Sequence, residues 1–196
     1  VPPSCGGAGA TLAQLQACTR DLDAVVAPLV AQKMPVVLAP LHCVSDILAA
    51  MVGAGVTPGK ASVVVSSSAE SYTAASRKMA GVALSYCSIH QENTALASQL
   101  MALMADVSEG RENMIIFPDI PADYTVQTPE AQSGKISCRL FGRPAKLHSG
   151  VQRFSRIVSA KVVFYHLYYQ QGIKIKIYSP LAPKEVAANL PSMLEN

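Results

Sequence analysis

The sequence predicts an α/β fold built on a largely parallel sheet, and three observations predict it. Short β-rich apolar runs alternate four times with segments of helical periodicity between Thr11 and Phe117, the order that βαβ crossovers produce. The runs are brief and apolar, as buried strands are. At 196 residues the chain is most simply a single domain, residues 1–196, large enough to enclose a substantial core.

The elements follow in order. Thr11 to Lys33 predicts a helix whose apolar stripe of Leu12, Leu15, Leu22, Val25, Val26, Leu29 and Val30 lies opposite Arg20, Asp21 and Asp23, with Pro28 expected to bend or interrupt it. Val36 to Leu38 is a strand closed by Pro40, after which Ile47, Leu48, Met51 and Val52 recur at helical spacing. Gly53, Gly55 and Thr57 to Gly59 make a turn into a second strand, Ser62 to Val65, which ends in Ser66, Ser67 and Ser68. Ala69 to Ala80 suits a helix capped by Gly81, Val82 to Tyr86 a third strand, and Cys87 to Gln91 a polar loop. Glu92 to Glu109 is a strong helix stopped by Gly110, and Asn113 to Phe117 a fourth strand running into Pro118-Asp119. A long polar loop, Pro121 to Gly134, precedes a strand over Ile136 to Phe141 and a helix over Ser149 to Ser159 with a serine cap. Lys161 to Tyr168 and Gly172 to Tyr178 are two more strands, the second with isoleucines alternating against Lys174 and Lys176, so that one face is wet. Pro183 to Leu194 closes with a short helix.

Half of the residues are hydrophobic and 15% are charged, yet no apolar run has the length of a membrane-spanning helix. A domain of this composition can still lie against a bilayer. The net charge of +3 conceals an asymmetry: ten lysines and arginines and no acid lie between Ala131 and Lys184, while all 13 acidic residues share the remainder with six basic ones. Such a one-sign field favours an acidic partner. Cys5, Cys18, Cys43, Cys87 and Cys138 are odd in number and lack C-x-x-C spacing, which points to a reducing compartment. Val1 followed by Pro2 and Pro3 is expected at the boundary of a processed or excised chain, so that an anchoring segment before it is an open expectation.

If the first four strands are parallel, their carboxyl ends present His42 with Asp46, Ser66 to Ser68, Cys87 to His90, and Asp119 on one rim, where ligand crevices form in open α/β sheets. A histidine oriented by a carboxylate takes a proton from a hydroxyl as it attacks an acyl carbon and returns one to the leaving group. Spacing alone is more often that of a capped helix after a polar turn.

Four ordered segments resemble the lysophospholipid acyltransferase superfamily and, within it, the late acyltransferases of lipid A biosynthesis. P-V-V-L-A-P-L-H-C-V-S-D is similar to the family's strand-borne His-acid motif, and G-R-E-N-M-I-I-F-P-D to its strand ending in an acidic turn. R-L-F-G-R-P-A-K-L-H-S-G with the helix and strand after it, and G-I-K-I-K-I-Y-S-P-L, resemble the closing segments, so that the likeness covers roughly residues 34 to 182. The resemblance implies a three-layer αβα sandwich with a mostly parallel central sheet, of the glycerolipid-acyltransferase kind. It implies His42 as general base and Asp46 as its orienting acid. Asp119 and Arg143 would line the substrate side with Ser149-Gly150 at the start of a helix, while Ser66 and Ser67 stand where family members often carry an arginine. The implied reaction moves a fatty acyl group from an acyl carrier protein or coenzyme A thioester to a lipid or glycolipid hydroxyl, without cofactor or metal. It is expected at a membrane surface, peripheral on the cytoplasmic side of a bacterial inner membrane.

This chain departs from the family in placing three residues, Cys43, Val44 and Ser45, between histidine and acid instead of four. One residue is about 100° around a helix. The alternative is therefore a non-catalytic relative acting as a lipid-binding or structural subunit of a larger assembly. Smaller signals weigh less: His42, Cys43, Cys87, His90 and His148 lack metal-site spacing, and Cys43 fits a packing residue better than a nucleophile. Phe164, Tyr165, Tyr168 and Tyr169 fit a strand bordering a lipid pocket better than a nucleic-acid platform, so no nucleic acid is expected as a partner.

Overall fold

The computed structural model describes residues 6–41, 46–65, 83–88, 94–117, 135–140, 143–148 and 150–195. In chain order these form α1 (Gly6–Ala31), β1 (Val36–Pro40), α2 (Asp46–Ala54), β2 (Lys60–Val65), β3 (Ala83–Ser88), α3 (Thr94–Ser108), β4 (Asn113–Ile116), β5 (Lys135–Leu140), β6 (Arg143–His148), α4 (Gly150–Ile157), β7 (Lys161–Tyr169), β8 (Ile173–Ile177) and α5 (Pro183–Glu195). The fold is α/β. A six-stranded sheet has the order β3-β2-β4-β1-β7-β8, parallel throughout except for the edge pair β7–β8. The expected helix over Ala69 to Ala80 and the loop over Pro121 to Gly134 lie outside the described residues.

Helices pack on both faces because successive strand residues point to opposite sides. Val36 and Leu38 of β1 join Ile115, Val163 and Tyr165 in a core with Leu15, Cys18, Leu22 and Val26 of α1 and with Ala49, Ala50 and Val52 of α2. Val37 and Ala39 join Met114, Ile116, Val162 and Phe164 in a second core with Leu103 and Val107 of α3, Val151 of α4, and Val186, Leu190 and Met193 of α5. Full burial on both faces explains why β1 reads as a continuous apolar run.

Four sequence expectations need correction. Helix α1 begins earlier than Thr11 and runs through Pro28 to Ala31. Pro28 and Ala24, whose carbonyl loses its usual donor, are both exposed, so water can serve in place of the missing N–H. Leu12 does not belong to the buried stripe and stays 40% exposed, whereas Cys18 is buried in it. The polar loop does not start at Cys87, because Cys87 and Ser88 extend β3 opposite Val64 and Val65. Finally, the sequence predicts no element between the strand ending at Phe141 and the helix starting at Ser149, yet Arg143–His148 is a strand: β5 and β6 form a separate antiparallel pair in which Arg139 stands opposite Pro144. A proline is tolerated there because each strand of a two-stranded sheet is an edge.

The amino edge of the sheet is fastened by polar groups. Asp23 of α1 accepts hydrogen bonds from the Thr57 N–H and hydroxyl, both at 2.8 Å, and Asn113 donates to the Thr57 carbonyl at 2.7 Å. Glu112, buried beside them, accepts from the Ser62 hydroxyl and lies 3.6 Å from the Lys60 ammonium. Buried polar groups held this way avoid the desolvation cost of being left unpaired. Their work is to fix the turn between α2 and β2.

Candidate functional site

Five parallel strands place their carboxyl ends along the opposite edge, and β1 lies inside the sheet between β4 and β7. It ends at Pro40 opposite Tyr165, and the buried Leu41 donates its N–H to the Tyr165 carbonyl at 2.8 Å. Helix α2 starts at Asp46. The segment carrying His42 therefore joins the end of a central strand to the first residue of a helix, which is the placement expected from sequence. His42 itself lies outside the described residues.

The other predicted site residues divide in the same way. Ser66 and Ser67 follow the end of β2, and Asp119 follows the end of β4 by three residues; all three lie outside the described residues, though their strands end at this same edge. Ser149 also lies outside. Gly150 is the first residue of α4, and Arg143 opens β6 in the separate hairpin.

What borders the edge beside α2 is apolar. A cavity of about 270 Å³ is lined by Leu48 of α2, Thr11 and Gln14 of α1, Leu167, Tyr168 and Tyr169 of β7, and Ile173 of β8. Leu48 stands two residues beyond Asp46, so the cavity adjoins the first turn of that helix. Small-molecule sites combine such apolar walls with a few polar groups, here the side chains of Thr11, Gln14 and the tyrosines.

Two residues that sequence reasoning did not select hold α2 in place. The fully buried Tyr165 donates its hydroxyl to the Ala49 carbonyl at 2.6 Å, tying β7 to the helix. The ring fits because Gly53 has no side chain: a Cβ there would stand 2.6 Å from the Tyr165 hydroxyl oxygen, 3.2 Å from Ile115 and 3.3 Å from Leu38. The one available signal was a glycine inside an otherwise strong helix pattern, which marks a close approach as often as a turn. Thr19 completes the attachment by donating to the Val52 carbonyl at 3.2 Å.

On the same face, Cys18 is buried with its Sγ 3.8 Å from the Ile173 carbonyl oxygen. Burial pushes its thiol pKa up, the Asp21 carboxylate adds to the rise, and Lys174 opposes it. The thiol is thereby kept protonated and unreactive. Among the described residues no group of three or more His, Cys, Asp and Glu side chains could hold a metal ion, and no helix is long and apolar enough to cross a membrane.

Neither a protein-family model nor a curated protein matches the chain.

Proposed function

We propose that the chain is an acyltransferase of the lysophospholipid acyltransferase superfamily, similar to the late acyltransferases of lipid A biosynthesis. Its donor is a fatty acyl thioester of acyl carrier protein or coenzyme A, and its acceptor a lipid or glycolipid hydroxyl at a membrane surface. The observation that carries the proposal is the passage from β1 to α2 on the carboxyl edge, with His42 between them, Asp46 at the helix start, and an apolar cavity beside that helix. The four motif segments, in family order along the chain, support it. Helices on both faces of the sheet support the finer architecture that belongs to the same proposal, a three-layer αβα sandwich of the glycerolipid-acyltransferase kind.

In this reading the His42 imidazole accepts the acceptor's hydroxyl proton as the oxygen attacks the thioester carbonyl. The tetrahedral intermediate collapses by breaking the carbon–sulfur bond, and the imidazolium returns the proton to the leaving thiolate. Asp46 orients the ring and stabilises its charged form. Asp119, Arg143 and the Ser149-Gly150 helix start line the substrate side, with Ser66 and Ser67 on the acceptor's side of the rim. The setting is peripheral, on the cytoplasmic side of a bacterial inner membrane.

His42→Ala is expected to abolish transfer from an acyl thioester while circular dichroism and thermal unfolding stay as in the parent protein. Undiminished turnover would remove His42 from the mechanism. The three-residue spacing between His42 and Asp46 favours one second reading, a relative that binds lipid without turning it over. Mass spectrometry of co-purifying lipids, before and after incubation with an acyl thioester, separates the two: bound lipid that never gains an acyl group selects the second.

A further inference from the structure

Strand β7 outruns its parallel neighbour. Since β1 ends at Pro40 opposite Tyr165, the residues from His166 to Tyr169 extend past it, paired with Lys176, Ile175, Lys174 and Ile173 of β8. Four residues at about 3.4 Å each make a two-stranded arm reaching roughly 14 Å beyond the end of β1. A lone ribbon of this size is marginal in water. This one is held near its tip by α1, where the Gln14 side-chain oxygen accepts the N–H of Ile173, the partner of Tyr169, at 3.0 Å.

The side chains of the arm are basic and aromatic. Tyr169 is 80% and Tyr168 39% exposed, and Lys174 and Lys176 are both exposed. The Lys176 ammonium sits 5.1 Å from the centre of the Tyr178 ring, and the His166 ring lies between Tyr168 and Tyr178 at 5.8 and 6.0 Å. No acidic residue occurs between Ala131 and Lys184, so nothing in the arm's own segment neutralises its lysines. Its other face, through Leu167, Tyr169 and Ile173, forms a wall of the apolar cavity.

We infer that this arm docks the protein on an anionic lipid surface, with Lys174 and Lys176 at headgroup phosphates, Tyr168 and Tyr169 at the boundary of headgroups and chains, and the cavity taking part of one lipid's hydrocarbon. Tyrosine and lysine are the side chains that suit that boundary. Exposed aromatics among lysines would also serve single-stranded nucleic acid. A cavity walled by Leu48, Leu167 and Ile173 favours lipid, because its lining is mostly apolar and suits hydrocarbon better than a nucleotide, with Thr11, Gln14 and the tyrosines its few polar side chains. Its volume, near twice that of a cavity that binds benzene, accommodates roughly ten carbons. The inference deepens the membrane part of the function proposed above and does not depend on His42.

The test is flotation of the whole chain with vesicles of equal parts phosphatidylglycerol and phosphatidylcholine, against vesicles of phosphatidylcholine alone. Binding is expected on the anionic vesicles and to weaken as salt rises. At low salt, Lys174→Ser with Lys176→Ser should weaken it about thirtyfold, near fivefold for each lysine. Tyr169→Ser alone should also weaken it, and as an exposed tip residue it leaves thermal unfolding unchanged. Equal binding to both vesicle types, undiminished binding by the lysine variant, or tighter and lysine-dependent binding to a single-stranded oligonucleotide would overturn the inference. Vesicle binding without acyl transfer would count against the acyltransferase reading and leave this one standing.

Discussion

Tyr165 and Gly53, 112 positions apart in the chain, are a single structural device: one supplies a hydroxyl and the other the space for it. Tyr165→Phe removes a buried hydrogen bond whose acceptor, a helical carbonyl, keeps its backbone partner, so it should cost about 1 kcal/mol in denaturant unfolding. Gly53→Ala puts a methyl group against the same oxygen and should cost roughly 1–3 kcal/mol, in spite of alanine's better helix propensity. The two changes share an atom. The second should therefore cost less in the Tyr165→Phe background, and equal costs in both backgrounds would show that the contact with Ile115 and Leu38 dominates. Cys18 supplies a pH dependence whose sign is fixed by its raised pKa. Its protonated form is favoured by folding, so its contribution is complete below the ordinary thiol pKa, near 8.5, and is lost as pH rises through the folded value. Stability of the parent should fall more steeply above that pH than stability of Cys18→Ala, measured as the difference between their unfolding midpoints.

At the scale of elements, the sequence was most legible where one residue's neighbours decide its structure. β1, β2, β4 and β7 announce themselves by apolar β-branched runs, and β8 by the alternation of Ile173, Ile175 and Ile177 with lysines that are exposed. What stayed hidden depends on partners far along the chain. The strand carrying Pro144 goes unseen because local pattern cannot show that it pairs only with β5, as the edge of a two-stranded sheet. Pro28 reads as a bend or an interruption, and α1 is not interrupted there, because local pattern cannot show which side of the helix meets water. The flanks of the candidate site, a strand end and a helix start, were legible for the same local reason, whereas the cavity beside them was not: its lining comes from four elements spread from Thr11 to Ile173. The hairpin between β7 and β8 is set by Gly172, at φ 125°, where a Cβ would also stand 2.9 Å from the Gln14 side chain. Gly172→Ala should cost about 1–3 kcal/mol and raise protease cleavage near Gln170. An unchanged cleavage pattern would mean that α1 holds the arm without help from the turn.

Across the whole molecule, the sheet is a partition between two cores that share strands but not side-chain neighbours. Ile115 points into one and Ile116 into the other. Ile115→Val and Ile116→Val should each cost about 0.5–1.5 kcal/mol. Although these residues are adjacent in the chain, the costs should add to within about 0.5 kcal/mol, since neither side chain touches the other's neighbours. A coupling well above that in a double-mutant cycle would mean that β4 transmits strain from one face to the other.

The central strand also sets a schedule for synthesis. β1 leaves the ribosome well before its two pairing partners, β4 and β7, and the side chain of Gln14 waits for Ile173, 159 positions later. Contacts of such long range form slowly, and an apolar strand left open in the meantime is exposed to other nascent chains. Most of the stretch from α1 to β7 must therefore be made before β1 is enclosed on both sides, and the yield in a cell will follow how well the unfinished polypeptide is chaperoned as much as how stable the finished one is.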